Sequence, residues 1–221
     1  MSAVAVKSGA ASGTKPPRRT QAQRSADTRA RLLETTIRCL HERGYIATTT
    51  MLVIAEAGVS RGAMLHQFPT RVDLMLFVVR EAYAEELALY AELMSAIAAP
   101  DARLASLPEM ALQVLSRPAG LAVLEIMMGS RSDPELAERL GALQREIEAD
   151  SLKAIDRYET AAGQAFPPAL VRLVVWAIRG LSLAQMLTGD AEATAESVKL
   201  FGRLLETAPR EFPHIPNNSH N

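Results

Sequence analysis

The sequence has few of the residues that disulfide-linked, secreted or membrane-spanning proteins need. Its single cysteine, Cys39, has no second cysteine to pair with, which is typical of proteins in a reducing cytosol. No run of about 18 apolar residues is present, and the N-terminus lacks an apolar segment as long as that of a signal peptide. These absences predict a soluble, cytoplasmic protein.

Residues for catalysis and for cofactor or metal binding are also scarce. No Ser/His/Asp or Cys/His arrangement is recognisable, and one cysteine excludes thiolate-rich zinc sites. Residues 101–221 contain no glycine-rich phosphate loop. The four histidines are scattered along the chain at His41, His66, His214 and His220. We therefore expect neither enzyme activity, nor a cofactor, nor a metal ion.

Aromatic residues make up only 5% of the chain, whereas hydrophobic residues make up 48%, and Ala, Leu, Glu and Arg dominate. That composition is typical of helices and predicts an all-α protein with a substantial core. The net charge of −1 hides an uneven distribution, because residues 1–80 carry +7 and residues 81–221 carry −8. The basic first third is therefore the part that we expect to face a polyanion.

Residues 58–68, GVSRGAMLHQF, have the pattern of a tight turn between two helices. Gly58 can adopt the positive φ that ends a helix, and Ser60 is a good N-cap for the next one. This layout predicts a helix-turn-helix whose second helix covers about residues 61–67. Gly62 inside that helix costs about 0.5–1 kcal/mol relative to alanine. Close approach to a DNA groove and close packing on a neighbouring helix both explain a glycine there.

The helices before this turn are placed by their own start and stop signals. A first helix is predicted over about residues 27–43, with Gly44 ending it. Cys39 lies in its apolar stripe, so we interpret it as a core residue rather than a nucleophile. Threonines 48–50 begin the second helix, and their hydroxyls can cap it and hold a DNA phosphate as well.

The two ends of the chain are predicted to be disordered. Residues 1–25 are basic and contain no acidic residue. They cannot bury enough apolar surface to form an ordered structure. Residues 208–221 are rich in Pro and Asn. Three arginines of the N-terminal segment are also candidates for an arm that follows DNA phosphates or enters the minor groove: Arg18, Arg19 and Arg24.

Residues 28–82 resemble the DNA-binding head of a TetR-family repressor. The matching marks are TRARLLETTIRCLHERGY, TTT and AGVSRGAMLHQFPTRVDL, whose order and spacing agree over about 55 residues. The resemblance implies a three-helix head, a larger helical ligand-binding domain and a two-fold dimer on operator DNA. It also implies DNA-contacting residues in the head, at Thr49, Arg61, Gly62, Ala63, His66 and Arg71. Thr48, Ser60 and Leu65 are further candidates beside them.

Two positions depart from the family pattern, which has tyrosine where this chain has Leu65 and alanine where it has Ile54. Leu65 cannot donate a hydrogen bond to a phosphate, so we expect it to pack or to contact a thymine methyl group. Ile54 is expected to affect the placement of the second helix. Arg71, at the start of a helix, is expected to contact a phosphate.

The predicted architecture is an N-terminal helix-turn-helix head at residues 26–80 and a larger helical ligand-binding and dimerisation domain at residues 81–207. The two are joined by a long helix, which begins at the capping-box pair Thr70 and Asp73 and continues to about Ala98. Further helices are predicted over residues 101–116, from 118 onward, and over 133–159, 169–187 and 191–205.

The helix predicted over residues 169–187 is apolar nearly all round. Burial by the core on one side and by a second copy on the other explains this, whereas a central helix of a large monomer is the alternative. Together with residues 191–205 it is predicted to form a dimer interface from Leu170, Val174, Ile178, Leu181, Val198, Phe201 and Leu205.

A ligand pocket is predicted in the same domain, because methionine adapts to varied apolar ligands. Its candidate residues, each of which core packing also explains, are Met110, Leu124, Met127, Met128 and Trp176. Glu125 lies among them and either meets a polar group of the ligand or faces water.

These observations favour an all-helical, dimeric transcriptional regulator, a repressor released from a palindromic operator by a small apolar or amphipathic effector. One alternative is a DNA binder controlled by a protein partner instead of a small molecule. Another is a helical enzyme that carries a helix-turn-helix-like head. Salt-dependent binding to a palindromic duplex distinguishes the DNA binders from the enzyme.

Overall fold

The computed structural model describes residues 20–155, residue 158 and residues 166–207. Within those residues the chain is all-α, as the sequence predicts. The helices in chain order are α1 (Gln21–Ala47), α2 (Thr50–Ala57), α3 (Arg61–Gln67), α4 (Arg71–Ser95), α5 (Pro100–Leu115), α6 (Pro118–Gly129), a 3-10 turn (Ser130–Ser132), α7 (Pro134–Ile155), α8 (Pro168–Thr188) and α9 (Ala191–Thr207).

Helix α1 begins earlier than the sequence pattern predicts. The Thr20 hydroxyl accepts from the Gln23 N–H at 3.2 Å, and the Gln23 side chain accepts from the Thr20 N–H at 2.9 Å, which forms a capping box. Residues 21–25, with Arg24 among them, are therefore helical rather than part of a disordered arm. Arg18, Arg19 and the tail at 208–221 lie outside the described residues.

Glycines end the first two helices, as predicted. Gly44 has φ 75° and breaks the helical path of α1, leaving a short turn up to Ala47. Gly58 has φ 58° and ψ 39°, the left-handed conformation that favours glycine at a C-cap. The guanidinium of Arg31 donates to the carbonyl oxygens of Ala57 and Gly58, so a cation satisfies the exposed end of α2.

The head formed by α1, α2, α3 and the start of α4 has its own small core. It comprises Leu32, Val53, Ala57, Met64, Phe68, Leu74 and Phe77. Phe68 ends α3 and its ring lies 4.7 Å from that of Phe77, centroid to centroid. The guanidinium of Arg29 covers both rings, at 5.4 Å and 4.4 Å from their centroids.

Helix α4 connects the head to the larger domain. Thr70 and Asp73 form the predicted capping box at its start, and the helix ends at Ser95, somewhat before the predicted end. Its first half packs with α1, α6 and α7 in one core cluster, and its second half with α5, α8 and α9 in another. One continuous helix therefore runs from the helix-turn-helix into the centre of the domain.

The two parts meet where α6 packs along α1. Tyr45, which is buried, donates its backbone N–H to Glu125 Oε2 at 2.9 Å and its hydroxyl to Asp133 Oδ2 at 3.3 Å. Gly129 lies so close to the Tyr45 ring that a Cβ there would be 2.2 Å from two of the ring carbons. Tyr45 is thus held between the head and the end of α6.

The outer faces of α8 and α9 are apolar and exposed. The large exposed side chains there are Leu173, Trp176, Leu183, Met186, Leu187, Leu200 and Leu204. By length and composition alone α8 would also qualify as a membrane-spanning helix. Its inner face packs on α5 and α9, however, as a core helix of a globular domain does.

Candidate nucleic-acid interface and effector cavity

Helix α3 is fixed by one face and presents the other to solvent. Ser60 caps it by accepting from the Ala63 N–H at 3.1 Å, and the Met64 side chain anchors it in the head core with 1% exposure. Gln67 donates to the Ser25 hydroxyl at 2.7 Å, which holds its end against α1. The exposed positions fall at helical spacing and form one stripe: Arg61, Gly62, Leu65 and His66.

The surroundings of Gly62 bear on one of the two explanations of this glycine, close packing on a neighbouring helix. A Cβ at Gly62 would have no atom of the described chain within 4 Å. Close packing inside this chain therefore does not require the glycine. Close approach of the helix backbone to a DNA groove stays the prediction for this glycine.

Two of the predicted contact residues are engaged inside the head instead. Thr48 is fully buried and its hydroxyl donates to the Gly44 carbonyl at 2.8 Å. Arg71 donates its Nε to the Thr48 carbonyl at 3.2 Å and its Nη2 to the Tyr45 carbonyl, and its guanidinium lies 4.0 Å from the Tyr45 ring centroid. Thr48 is thus not accessible to DNA, and Arg71 binds the turn between α1 and α2 rather than presenting a free guanidinium to a phosphate.

Several other residues predicted to contact DNA are exposed on the head. Thr49 is exposed and caps α2, its hydroxyl accepting from the Leu52 N–H at 3.2 Å. Arg24 is exposed on the first turn of α1. Within the described residues Arg61 makes no hydrogen bond or ion pair, and Leu65 is 47% exposed although it is apolar. Arg61 and Leu65 are therefore available to a partner molecule.

The larger domain contains a cavity of about 480 Å³ between α4, α5, α7 and α8, which is partly open to the surface. This volume falls within the range of about 300–1,000 Å³ of small-molecule sites. Most of its lining is aliphatic or aromatic, with Leu87, Leu107, Ile147, Val174 and Trp176 among the residues. A cavity of this size and lining suits a small, mainly apolar molecule.

Polar side chains line one part of this cavity. Glu86 and Tyr90 lie one turn apart on α4, Gln144 lies on α7 and Arg179 on α8. Glu86 Oε2 lies 3.5 Å from Arg179 Nη2, and both side chains are nearly buried. Burial raises the pKa of the Glu86 carboxyl, and the charge of Arg179 opposes that rise. Burial likewise raises the pKa of the Tyr90 hydroxyl, which therefore stays protonated.

Of the six residues predicted for the pocket, only Trp176 lines this cavity. Met110 is packed in the core between α5, α8 and α9, and Met127 packs on the core around α6. Met128 is 56% exposed on α6. Leu124 is half-buried on the same helix, and Glu125 binds the head through Tyr45. The cavity is thus built from different residues than the methionine pattern predicted.

The residues predicted for the dimer interface point inward. Five of the seven are buried within this chain's own core: Leu170, Val174, Ile178, Val198 and Leu205. Leu181 and Phe201 are partly buried against the same core. Helix α5 packs on this face of α8 and α9 and covers it. The prediction was therefore wrong about the face, and the apolar residues left exposed lie on the opposite side of the same two helices.

The sequence reading missed the buried polar groups of the cavity. For Glu86 the sequence does contain a signal. Val72, Met75, Val79 and Ala82 mark the buried face of α4, and Glu86, four residues after Ala82, lies on the same face. An acidic residue in a core register indicates a partner or a ligand. Within the described residues no cluster of three His, Cys, Asp or Glu residues suited to a metal ion is found.

The structure combines a three-helix head whose third helix is exposed, one long connecting helix, and a helical domain with an apolar cavity. This combination is typical of the class of helix-turn-helix transcriptional regulators. A family model described as "Bacterial regulatory proteins, tetR family" matches residues 32–77. The head thus matches that of the TetR family, and the chain is a DNA-binding transcriptional regulator.

Individual relatives agree with this assignment. An uncharacterized HTH-type transcriptional regulator of Mycobacterium tuberculosis, Rv2912c, is 25% identical over 190 residues, which are 85% of this chain and 97% of the relative. The HTH-type transcriptional regulator CymR of Pseudomonas putida is 44% identical over 61 residues, which are 28% of this chain and 30% of CymR.

The fold of most of the chain is also found among solved structures. The transcriptional regulator FadR from Bacillus subtilis, in complex with stearoyl-CoA, matches with a TM-score of 0.63 at 16% identity. The match covers 81% of this chain and 98% of FadR. At that identity the similarity shows that the two chains share a fold.

Proposed function

We propose that the protein is a cytoplasmic homodimeric repressor that binds a palindromic operator through α3 and leaves it when a small molecule occupies the cavity. The observation that supports DNA binding is the exposed stripe of α3. Within the described residues Arg61 of this stripe has no hydrogen-bond or ion-pair partner, and Gly62 has no side chain to cover the helix backbone. Arg61 and His66 supply the polar contacts, Leu65 an apolar one, and the hydroxyl and amides at Thr49 a phosphate contact.

The outer apolar faces of α8 and α9 support dimerisation. On α8 the residues Leu173, Trp176, Gly180, Leu183 and Leu187 follow each other at alternating spacings of three and four, which places them on one face. A Cβ at Gly180 would have no atom of the described chain within 4 Å, so a second helix can approach closely there. Pairing α8 and α9 with the same helices of a second copy would bury this surface in a four-helix interface.

The lining of the cavity supports a mainly apolar effector, and the similar FadR fold holds a ligand with a long acyl chain, stearoyl-CoA. Helix α6 can carry the signal, because it contacts both a residue that lines the cavity and the head. Arg179 of the cavity donates to the Gly120 carbonyl on the first turn of α6 at 3.3 Å. The other end of α6 holds Tyr45 through Glu125 and Gly129. An effector that favours a different placement of α6 would change the position of the head.

The test of this function begins with selection of bound duplexes from a random DNA pool. Affinity for the selected operator is then measured by fluorescence anisotropy at several salt concentrations. The double variant Arg61→Ala/His66→Ala is expected to lose about 2–6 kcal/mol of specific binding, at about 1–3 kcal/mol per base contact. The matched control, His41→Ala/Arg145→Ala, removes an exposed histidine and an exposed arginine outside α3 and should bind normally.

Retention of specific binding by the α3 variant would show that another element reads the operator. Failure to select any duplex at low salt would contradict DNA binding as a whole. A protein that binds an operator but is not released by any small molecule would favour control by a protein partner.

A further inference from the structure

Three polar atoms at the cavity have no hydrogen-bond partner within the described part of the chain. They are Glu86 Oε1, Tyr90 Oη and Gln144 Oε1, and all three are buried. The three side chains line the same cavity, two from α4 and one from α7. A buried polar atom without a partner is costly, and most such atoms in folded proteins are satisfied by protein, water or ligand.

Two of these three atoms can only accept hydrogen bonds. Glu86 Oε1 belongs to a carboxylate paired with Arg179, and Gln144 Oε1 is an amide oxygen, so both accept hydrogen bonds. Only the Tyr90 hydroxyl can also donate. A ligand that satisfies the group must therefore bring donors, and one that brings only acceptors leaves at least one of these oxygens unpaired.

The charges that line the cavity are already balanced. Glu86 pairs with Arg179 at 3.5 Å, and Glu148 Oε1 lies 3.6 Å from Arg172 Nε. A cationic ligand beside Glu86 would meet Arg179, and an anionic ligand beside Arg179 would meet Glu86. An additional buried charge would thus have no counter-charge of its own, which is strongly unfavourable.

We propose that the effector is an uncharged amphiphile with an apolar body and a hydrogen-bond-donating head, such as a hydroxyl group, and that this head binds among Glu86, Tyr90 and Gln144. The inference rests on the proposed function, in which this cavity is the effector site. It adds the chemical class of the molecule that the site selects.

The test uses four probes with an eight-carbon chain, in which the carboxyl carbon of the acid counts as the eighth: 1-octanol, methyl octyl ether, octanoate and octylammonium. The ether keeps the oxygen of the alcohol and lacks the donor. Binding at pH 7 is followed by the fluorescence of Trp176, which is the only tryptophan of the chain and lines the cavity, and by the midpoint of thermal unfolding. Octanol is expected to bind roughly twofold to tenfold more tightly than the ether, the worth of one hydrogen bond. The two ions should bind about tenfold or more weakly than octanol.

Variants locate the effect at the polar end of the cavity. Gln144→Leu removes one acceptor and is expected to weaken octanol binding by roughly twofold to tenfold while leaving the affinity for the ether unchanged or higher. The control, Gln113→Leu, makes the same change at an exposed position of α5 outside the cavity lining and should bind all four probes normally. Glu86→Gln leaves Arg179 without its counter-charge, so it should shift the preference from octanol towards octanoate.

Each outcome decides between separate claims. Equal affinities for octanol and the ether, or tighter binding of either ion, would overturn the inference about the head group and leave the cavity as the effector site. If none of the four probes changes the fluorescence or the unfolding midpoint, both the inference and the proposed role of the cavity are contradicted. Operator binding by α3 would stand in every case, because the duplex assay measures it separately.

Discussion

Replacing Gly129 by alanine tests how tightly the head is docked on the larger domain. Gly129 has φ −63° and ψ −31°, which are helical angles, so alanine adds no backbone strain. Its Cβ would nevertheless lie 2.2 Å from Cγ and Cδ1 of Tyr45, and that ring is held by Arg71 on one side and by Asp133 at its hydroxyl. Either α6 or Tyr45 has to move.

The expected change in the unfolding midpoint is estimated against a matched control variant. Gly141, within α7, has only Arg145 Nη1 at 3.8 Å from where its Cβ would lie, which is ordinary contact. Gly141→Ala should therefore stabilise the fold by about 0.5–1 kcal/mol through helix propensity alone. Gly129→Ala gains the same term and loses about 1–3 kcal/mol through overpacking. At about 2–4 °C per kcal/mol for a chain of this size, the unfolding midpoints of the two variants should differ by about 2–12 °C.

The assay is thermal unfolding followed by circular dichroism, with both variants at one protein concentration, because the proposed dimerisation would make the midpoint depend on concentration. Midpoints that agree within about 2 °C would refute the tight contact between Gly129 and Tyr45. A second measurement compares operator affinity with and without a bound effector. If α6 carries the signal, Gly129→Ala should reduce the ratio of these affinities, and an unchanged ratio would exclude this route.

Three further predictions concern the head, the interface and the response to pH. Arg71→Ala should lower the unfolding midpoint as well as operator affinity, because it removes two hydrogen bonds to backbone carbonyls, whereas a residue that only contacts phosphate would leave the midpoint unchanged. The double variant Leu187→Glu/Leu204→Glu should sediment as a monomer instead of the proposed dimer. The control Met128→Glu, at an exposed apolar position of α6, should leave the dimer intact. A dimer that survives the double change would place the interface elsewhere. The hydrogen bond from Arg139, at 2.7 Å, and the hydrogen bonds within the Thr70 cap lower the pKa of Asp73. The ionised Asp73 side chain therefore contributes stability above the ordinary aspartate pKa of 3.8, and this contribution is lost as the pH falls through the lowered pKa. Asp73→Asn should flatten that part of a denaturation profile measured against pH, and an unchanged profile would contradict the assignment.

Local signals in the sequence were sufficient for the helix-turn-helix. Gly58, Ser60 and the Thr70–Asp73 pair act over three or four residues, so the turn, the bounds of α3 and the start of α4 could be read directly. Long-range contacts were not readable in this way. Arg71 reaches carbonyl groups more than 20 residues away in the chain, and nothing in its neighbourhood distinguishes that role from a phosphate contact.

The larger domain shows the same limit. Helices α8 and α9 were predicted with nearly their observed bounds, yet α8 is apolar all round, so its pattern does not tell which face packs on α5. The cavity was sought among methionines, which are adaptable, but Met110 and Met127 pack in or against the core and Met128 is exposed. The polar groups that do line it, Glu86 and Arg179, come from helices that meet only in the folded chain.

The way α3 is held has a consequence for how such a regulator can change its target. Met64 is the one fully buried side chain of the helix, and the four exposed positions around it contribute nothing to the core of the head. Substitutions at these positions can therefore alter the preferred operator at little cost in folding free energy. In the proposed mode of DNA binding, recognition and stability would be encoded by separate residues of the same short helix, and new DNA specificities would be accessible to mutation without a stabilising change elsewhere.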